Sequence, residues 1–583
     1  MKGFFNRILR INVSNHSFTY ENLSDDTLSS TLGGKGLGIH LLSKENPVGA
    51  DPFSPENRLI ICVGPITGTR IWSQSRYGVF SKSPATGGFC ESYCGGELAP
   101  RIKGCGADAV IIEGKSDSLV FLSVTEDRVD FHDASGIAGA ETYDAEKYIL
   151  SRSGKSSGAM VIGPAGENLV VQAAIKSDLW RSAGRGGLGA VMGSKGIKGI
   201  SFNGTRKADV ANPEMVTNLV KNIASTWKDS PVTKKYQTYG TPSQVAVTNG
   251  AKCFPTRYWQ SGVSEHWQNL SAEYMHEHFE VSKHGCPSCF LQCTKHARVK
   301  SGRHAGLEID GPEYETIYAL GGLNCLDSLE EVAWLNDICD RLGLDTMSAG
   351  NLSALAVEAY KRGKTDFAID YNQPDRMAEF FTLLAHAEGA GAVFAKGIKS
   401  AAAELGLEDI AVHVKGLEPA GFDPRVLKGM GLSYATSPRG ACHLRGTFYK
   451  AELTGEVDPD VIPGKARYHI DYEDRAALFD SMILCRFFRD FYLWDELSEM
   501  VEATTGMRMN KKELELLANR ITQQTRAFNH REGIGPEQDT LPKRILNEAT
   551  KEGAVLSEAD LHTMIQEYNK IREERDAKAE ISS

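Results

Sequence analysis

His284-Gly285-Cys286-Pro287-Ser288-Cys289-Phe290-Leu291-Gln292-Cys293 sets three cysteines in the spacing C-x2-C-x3-C near the middle of a 583-residue chain. Thiolates crowded onto a short proline-bearing turn repel one another, so the arrangement calls for a soft metal centre that neutralises them. Such a centre takes a fourth ligand, and the best candidate is the distant Cys485. That cysteine closes the run Ala476-Ala477-Leu478-Phe479-Asp480-Ser481-Met482-Ile483-Leu484-Cys485. Asp480 is the one carboxylate in this apolar segment, and a buried unpaired charge is too costly to stand alone, so Asp480 should have a partner. One segment is then able to hold a donor-rich ligand through Asp480 and a metal through Cys485. A structural zinc and an iron–sulfur cluster both accept four cysteines, and the residues alone leave both open.

Composition narrows the class. Hydrophobic residues make up 41% and charged residues 24% of the chain, ordinary for a globular protein. A formal charge of −10 argues against a nucleic-acid surface, which needs concentrated basic charge. No run reaches the ~20 apolar residues needed to cross a bilayer. The amino terminus mixes Lys2, Arg7 and Arg10 with Phe4, Phe5, Ile8 and Leu9 and turns polar before a signal-peptide core develops, which reads as the first strand of a cytoplasmic protein. Twelve cysteines in so long a chain do not make a disulfide framework; the central triad points to metal or redox use in a reducing compartment.

From the start to about residue 205 the pattern is β-rich. Short β-branched or alternating runs at 7–13, 59–63, 77–81, 109–113, 119–124 and 160–162 are bounded by Gly, Pro, Asn or Asp. Two connections are rich in glycine and polar groups. One runs from Ser75-Arg76-Tyr77 through Lys82-Ser83-Pro84 to Ser92-Tyr93-Cys94-Gly95-Gly96; the other is Arg181-Ser182-Ala183-Gly184-Arg185-Gly186-Gly187-Leu188-Gly189-Ala190. Glycine amides and guanidinium groups suit phosphate, although neither loop is a nucleotide fingerprint and most loop glycines are turns. From about Asn212 the texture turns helical. Ser328 with Glu331 forms a candidate capping box, and Leu329, Val332, Leu335, Ile338 and Leu342 recur at helical spacing until Gly343 stops a helix over 329–342. Asp340 and Asp345 then face the negative end of that helix, either as a solvated pair or as two acceptors for a ligand rich in N–H donors. His276 and His278 lie among glutamates on a solvated, charged stretch and are not taken as ligands.

These motifs together resemble the aldehyde:ferredoxin oxidoreductase family of tungsten-containing pterin enzymes. The likeness rests on Cys286, Cys289 and Cys293, Asp340-Arg341-Leu342-Gly343-Leu344-Asp345 and Asp480 to Cys485. It takes in Arg76-Tyr77, Lys82-Ser83-Pro84, the segment from Ala183 to Gly187, Gly311-Pro312-Glu313-Tyr314-Glu315 and Thr540-Leu541-Pro542-Lys543-Arg544, in order along essentially the whole chain. The resemblance implies an α+β protein: a β-rich cofactor-base domain over 1–208, then two mainly helical domains, 209–415 with the cysteine triad and 416–583 with the fourth cysteine. It assigns a [4Fe-4S] cluster to Cys286, Cys289, Cys293 and Cys485. It gives a tungsten or molybdenum bis-pyranopterin to Asp340, Asp345, Asp480 and the Leu484 backbone, with Arg76, Gly95 and Arg185 near its phosphates and a bridging Mg2+. Pterin rings would supply the N–H donors that the aspartates want.

The implied reaction oxidises an aldehyde with water to a carboxylic acid and passes electrons through the cluster to ferredoxin or a dedicated iron–sulfur subunit. Glu315 is the expected base and His443 the expected hydrogen-bond donor to the substrate oxygen; without the resemblance they read as a helix-end carboxylate and a structural imidazole. Trp334 and Ala378 stand where some members bind a bridging metal between subunits, so a metal-bridged dimer is not expected. Tyr93 replaces a polar amide, Phe422 replaces a tyrosine near the pocket, and Cys90 and Cys94 read as small core residues. Two alternatives accompany this reading: a low-potential reductase of the same family acting on another substrate such as an aryl-CoA thioester, and a non-enzymatic electron-transfer or scaffold subunit carrying only a cluster.

Overall fold

The structure is a computed structural model that describes residues 1–581. Two mixed six-stranded sheets dominate the amino-terminal third. The first comprises β1 (Arg7–Asn12), β2 (Ser17–Asn22), β3 (Leu59–Cys62), β4 (Tyr77–Lys82), β5 (Phe89–Cys94) and β6 (Ala109–Glu113), in the order β2-β1-β6-β3-β4-β5. The second comprises β7 (Val120–Thr125), β8 (Val129–Asp133), β9 (Gly158–Val161), β10 (Ile175–Ser177), β11 (Arg181–Ala183) and β12 (Ile197–Asn203), in the order β11-β10-β9-β12-β7-β8. Only β1 with β6 and β7 with β12 run parallel. Alternation in β1 sends Leu9 and Ile11 into one apolar cluster shared with Leu122, Met160 and Ile200 of the second sheet, so the two sheets bury each other's inner faces.

The six expected strands occur, with ends shifted by one or two residues. The other strands of these sheets were not anticipated, since they are polar on one face or break at glycines. The Arg181 to Ala190 segment is not one loop: it holds β11, a turn with Gly186 and Gly187 at φ of 89° and 81°, and a helix over Leu188–Ser194.

The remainder is mainly helical, which makes the fold α+β. The change of texture falls where expected, because Asn212 caps the helix Pro213–Trp227 by accepting from the Glu214 and Met215 amides. A third sheet interrupts the helices, with β13 (Phe279–His284), β14 (Thr294–Val299) and β15 (Glu308–Asp310) in antiparallel order. The helix Leu329–Leu342 forms with Ser328 as its cap and Gly343 in the left-handed conformation after it. The box is incomplete: Ser328 Oγ accepts from the Glu331 amide, but the Glu331 carboxylate turns to Arg303 (2.5 Å) and His304 (3.0 Å).

The helix Lys465–Met482 is the post on which the halves meet. It packs on Gly34–Glu45, on Lys511–Arg531 and on Glu558–Ile581. The first contact needs glycine, because a Cβ on Gly34 would lie 2.2 Å from the Asp480 carbonyl. On the far side Glu473 and Asp474 are buried, and Arg572 answers both at 2.6 and 2.7 Å, with Tyr568 donating to Glu473 at 2.7 Å.

Candidate active site

The C-x2-C-x3-C run is the turn between β13 and β14, and Cys485 follows the helix Lys465–Met482. All four cysteines are half-buried. They are brought together: burial raises the Cys289 thiol to about 12 with Cys485 and Cys286 pushing the same way, and burial followed by Cys485 raises Cys293 far above the normal thiol range. The Gly96 amide donates to Cys286 Sγ at 3.2 Å and Arg76 Nη1 to Cys485 Sγ at 3.5 Å. A Cβ on Gly95 would sit 3.0 Å from Cys286 Sγ. Gly95 therefore serves close approach to the cysteine loop and is not among the residues lining the neighbouring cavity.

That cavity, about 260 Å³, lies where the β-rich and helical parts meet. Arg76, Lys176, Arg185, Arg439, Arg445 and Arg486 line it, and so do Glu315, Asp340, Asp345, Asp480, His443 and Leu484. Asp340 is 5% and Asp345 7% exposed, so the solvated-pair reading is wrong. Asp340 accepts from Lys176 (2.5 Å) and Asn336 (2.8 Å). Asp345 begins the next helix, Thr346–Lys361, where its carboxylate accepts from the Ser348 amide at 3.2 Å. The dipole argument for Asp345 is thereby reversed, since a carboxylate at a helix start is favoured.

Asp480 has its partner within the chain: Arg445 pairs with it, as does Arg486 at 2.6 Å. Arg445 also reaches Glu91 (2.8 Å), which Lys35 holds from the other side (3.0 Å) and to which the Tyr93 hydroxyl donates (2.6 Å). Although burial opposes ionisation, Arg445 and then Lys35 and Arg439 hold the Glu91 carboxyl well below its ordinary range. Leu484 gives its N–H to the Phe479 carbonyl, so its own carbonyl is what it can offer a ligand.

Glu315 lies in the helical turn Tyr314–Thr316 and accepts from the Gly421 amide at 2.9 Å, while its other oxygen is 3.4 Å from His443 Nε2. The pair joins residues far apart in sequence and faces the cavity. Burial pushes the Glu315 carboxyl up to about 8. Burial, then Arg185, Arg439, Arg445 and Arg489, push His443 well below its ordinary value, so it is neutral. His443 Nδ1 is buried without a hydrogen-bond partner. Next to it Cys442 is buried, yet Arg439 (2.9 Å) and the nearby Arg445 and Arg185 outweigh burial and bring its thiol down to about 7. Phe422 stacks on Tyr449 at 4.0 Å, with His443 6.0 Å from Phe422.

Sequence reasoning missed most of the cavity's cations. Lys176, Arg439 with Arg445, and Arg486 come from three separate segments; only their burial marks them, though Asp345 with Ser348 was legible as a cap. Cys90 and Cys94 are core residues, at 2% and 1% exposure. His278 stacks on Tyr274 at 3.8 Å and His276 binds the Thr238 carbonyl. Trp334 stacks on His304 at 4.8 Å.

A half-buried set of four cysteines beside a deep cavity that mixes cations with carboxylates defines, with this fold, an enzyme of redox type. The particular family follows from the sequence matches. Residues 8–204 match the model of the aldehyde ferredoxin oxidoreductase N-terminal domain, and residues 218–575 that of its domains 2 and 3. Tungsten-containing aldehyde ferredoxin oxidoreductases of Pyrococcus furiosus and Thermococcus kodakarensis are 34% and 35% identical over 587 residues, covering 98% of this chain and 96% of each relative. The chain belongs to the aldehyde ferredoxin oxidoreductase family. Its fold is also that of a chain in the active-site complex of benzoyl coenzyme A reductase with 1,5-dienoyl-CoA, at a TM-score of 0.83 and 21% identity, covering 98% of this chain and 94% of that one.

Proposed function

We propose that this oxidoreductase oxidises aldehydes with water to carboxylic acids, using a tungsten or molybdenum bis-pyranopterin and a [4Fe-4S] cluster. The observation that carries the reading is the half-buried Glu315–His443 pair at the edge of the cavity that the cysteines flank. The residues fit both groups. The buried Nε atoms of Arg76, Arg439 and Arg445 have no hydrogen-bond partner and are donors for a phosphate-bearing ligand, while that of Arg185 lies 3.4 Å from Asp345. Asp340, Asp345 and Asp480 are acceptors for pterin N–H groups, and the Leu484 carbonyl adds another.

When bound, the metal–pterin group supplies a two-electron acceptor and a Lewis acid. The overall change is RCHO + H2O → RCOO− + 3 H+ + 2 e−. Glu315, ionised, accepts a proton from water or from the aldehyde hydrate. His443 Nε2 faces Glu315, so a protonated Glu315 leaves the imidazole proton on Nδ1, free to meet the substrate oxygen, whereas an ionised Glu315 draws that proton to Nε2. Both groups are half-buried, so bulk water screens them less than it would at the surface. Phe422 and Tyr449 are buried behind His443 and pack beside its ring.

Elemental analysis of anaerobically purified protein, followed by viologen reduction with an aldehyde panel, tests this. About four irons with one tungsten or molybdenum per chain and dye reduction by simple aldehydes support it. One zinc and no heavy metal would end it. Iron without tungsten, molybdenum or pterin would favour a cluster-only electron-transfer subunit, and inert aldehydes with turnover of an aryl-CoA a family reductase of another substrate.

A further inference from the structure

Six cations line the cavity, and four of them answer carboxylates: Lys176 pairs with Asp340, Arg185 with Asp345 and Glu418, Arg445 with Glu91 and Asp480, and Arg486 with Asp480. Among the described residues Arg76 and Arg439 have no carboxylate partner, and each donates to a cysteine sulfur instead. For Arg76 that sulfur belongs to Cys485 of the cysteine set, at 3.5 Å; for Arg439 it belongs to Cys442, at 2.9 Å, which the proposed reaction does not use. Arg439 is 6% exposed, and a guanidinium so deeply buried needs a compensating anion.

The loop that carries both residues places that anion. Gly440 turns the chain at a φ of 94°, where a Cβ would lie 2.7 Å from the Leu417 Cβ and from the Val414 carbonyl oxygen. Asn529 donates to the Pro438 carbonyl and Arg185 to that of Ala441 at 3.1 Å, which pins the loop on either side of the turn. Cys442 is left with no exposure, its sulfur accepting from Arg439 Nη2 and from the Leu444 amide at 3.4 Å. A cation and an amide donating to one sulfur make the surroundings of a thiolate. Arg439 Nη1 meanwhile donates to the Glu91 carbonyl, which leaves Nε as its unpartnered nitrogen in the cavity wall.

Eight of the twelve cysteines lie outside the set formed by Cys286, Cys289, Cys293 and Cys485. Burial raises the thiols of seven of them. Cys442 moves the other way, to about 7, because Arg439, then Arg445 and Arg185, outweigh its burial. Arg439 and Arg445 act on it from its own loop, Arg185 from the turn after β11, Tyr434 from the helix Lys428–Thr436 and Glu315 from the turn Tyr314–Thr316; Cys90 and Glu91 of β5 stand beyond Arg439. At Glu315 the sulfur's charge adds to burial in raising the carboxyl, while the Gly421 amide and Arg185 oppose it.

We propose that Cys442 is a positioning residue, a thiolate that serves as counter-ion to Arg439 and fixes that guanidinium in the cavity wall. His443 follows it directly in sequence, so the same contact steadies the backbone that carries the imidazole. The inference rests on the proposed function for what the cavity binds and for the part Glu315 plays; the charge on the sulfur stands apart from both.

The test is Raman spectroscopy of the S–H stretch on anaerobic holoenzyme, in samples matched for iron, between about pH 5.5 and pH 8.5. Wild type should lose about one thiol of S–H intensity as pH rises through 7, and Cys442→Ser should lose none. Arg439→Gln, which removes the counter-charge and keeps the thiol, should push that loss above about pH 8.5. A wild-type band constant over this range overturns the proposal, as does a loss that Arg439→Gln leaves in place. The pH profile of aldehyde turnover gives a second reading that a merely structural cysteine would not move. Near pH 7.5 the wild-type sulfur is charged and opposes ionisation of Glu315, so Cys442→Ser should raise kcat/KM there, relative to its plateau, by roughly 2-fold, and Cys442→Asp should restore the wild-type ratio. An inflection that stays in place in Cys442→Ser means that no charge was lost, and overturns the proposal as well. Should no aldehyde be oxidised at any pH, the proposed reaction falls while the S–H titration still decides the counter-ion.

Discussion

The cysteine turn and the Glu315–His443 pocket are neighbours built on opposite principles. The turn is half-buried, carries three of its thiols within one hairpin, and meets solvent through Pro287 and Ser288. The pocket is recessed and half-buried as well, with 20% of the Glu315 and 12% of the His443 side chain exposed, but its lining comes from segments scattered from Arg76 to Arg486. Solvent access suits a centre that hands electrons to a visitor, because docking needs a surface. A recess crowded with protein suits proton chemistry, because surroundings poorer in water than the surface move the Glu315 carboxyl up to about 8 and hold the His443 imidazole below its ordinary value. Between them Arg76 touches both sides, lining the cavity while donating to Cys485.

The sharpest way to break this division is to remove one centre and watch the other. Cys485→Ala should lose the iron–sulfur absorption outright and with it electron delivery to any protein carrier, since three cysteines cannot complete the set. Iron per chain and low-temperature EPR of the reduced protein check this. A variant that keeps about four irons would separate Cys485 from the cluster. Glu315→Gln should do the converse, leaving iron and tungsten content intact while kcat/KM for aldehyde falls by ~10²- to 10⁴-fold, the usual worth of a positioned general base.

The same contrast explains how much was legible in the sequence. The cysteine triad was readable because its spacing is local, and Cys485 became a partner through Asp480, an odd carboxylate in an apolar run. The strands of the core were readable where β-branched residues cluster, as at Leu59–Cys62. The third sheet was not, because β13 alternates Phe279 and Val281 with the polar Glu280, Ser282 and Lys283 and looks like a charged loop. Nor were the pocket's cations readable. Nothing in the local spacing of Lys35, Lys176 or Arg445 shows that each answers a carboxylate brought from another segment; that pairing exists only once the chain has folded.

Those pairings give a stability test that separates pocket from turn. Arg445 serves Glu91 and Asp480 at once and is 3% exposed. Arg445→Leu leaves two buried carboxylates short of a partner and should destabilise the protein by about 3 kcal/mol, a value at the low end for a broken buried pair because Lys35 and Arg486 remain. Denaturant melts of the apoprotein read this loss. Lys234→Gln on the exposed rim should move the midpoint hardly at all, since a solvated lysine without an ion pair contributes little.

The smallest and most discriminating effect is on pH dependence. The Glu315 carboxyl ordinarily titrates near 4.5 and is raised to about 8, so at neutral pH most of it carries a proton and is unable to act as a base. The kcat/KM for aldehyde should therefore rise with pH, nearly tenfold per unit below 7 and levelling above about 8, and a bound phosphate-bearing cofactor would push the inflection further the same way. Stability moves oppositely. A raised folded-state pKa means that the folded form holds its proton longer, so the contribution is fully present below about 4.5 and lost as pH climbs through 8. Glu315→Gln removes that penalty: the apo variant should gain on wild type in melts at pH 9 relative to pH 5, while its residual activity loses the rising limb. A wild-type profile flat from pH 6 to 9, with no relative gain for the variant, would show that Glu315 is ionised throughout. The pocket would then hold a charge as readily as the cysteine turn, and the contrast between them would fail at its chemical root.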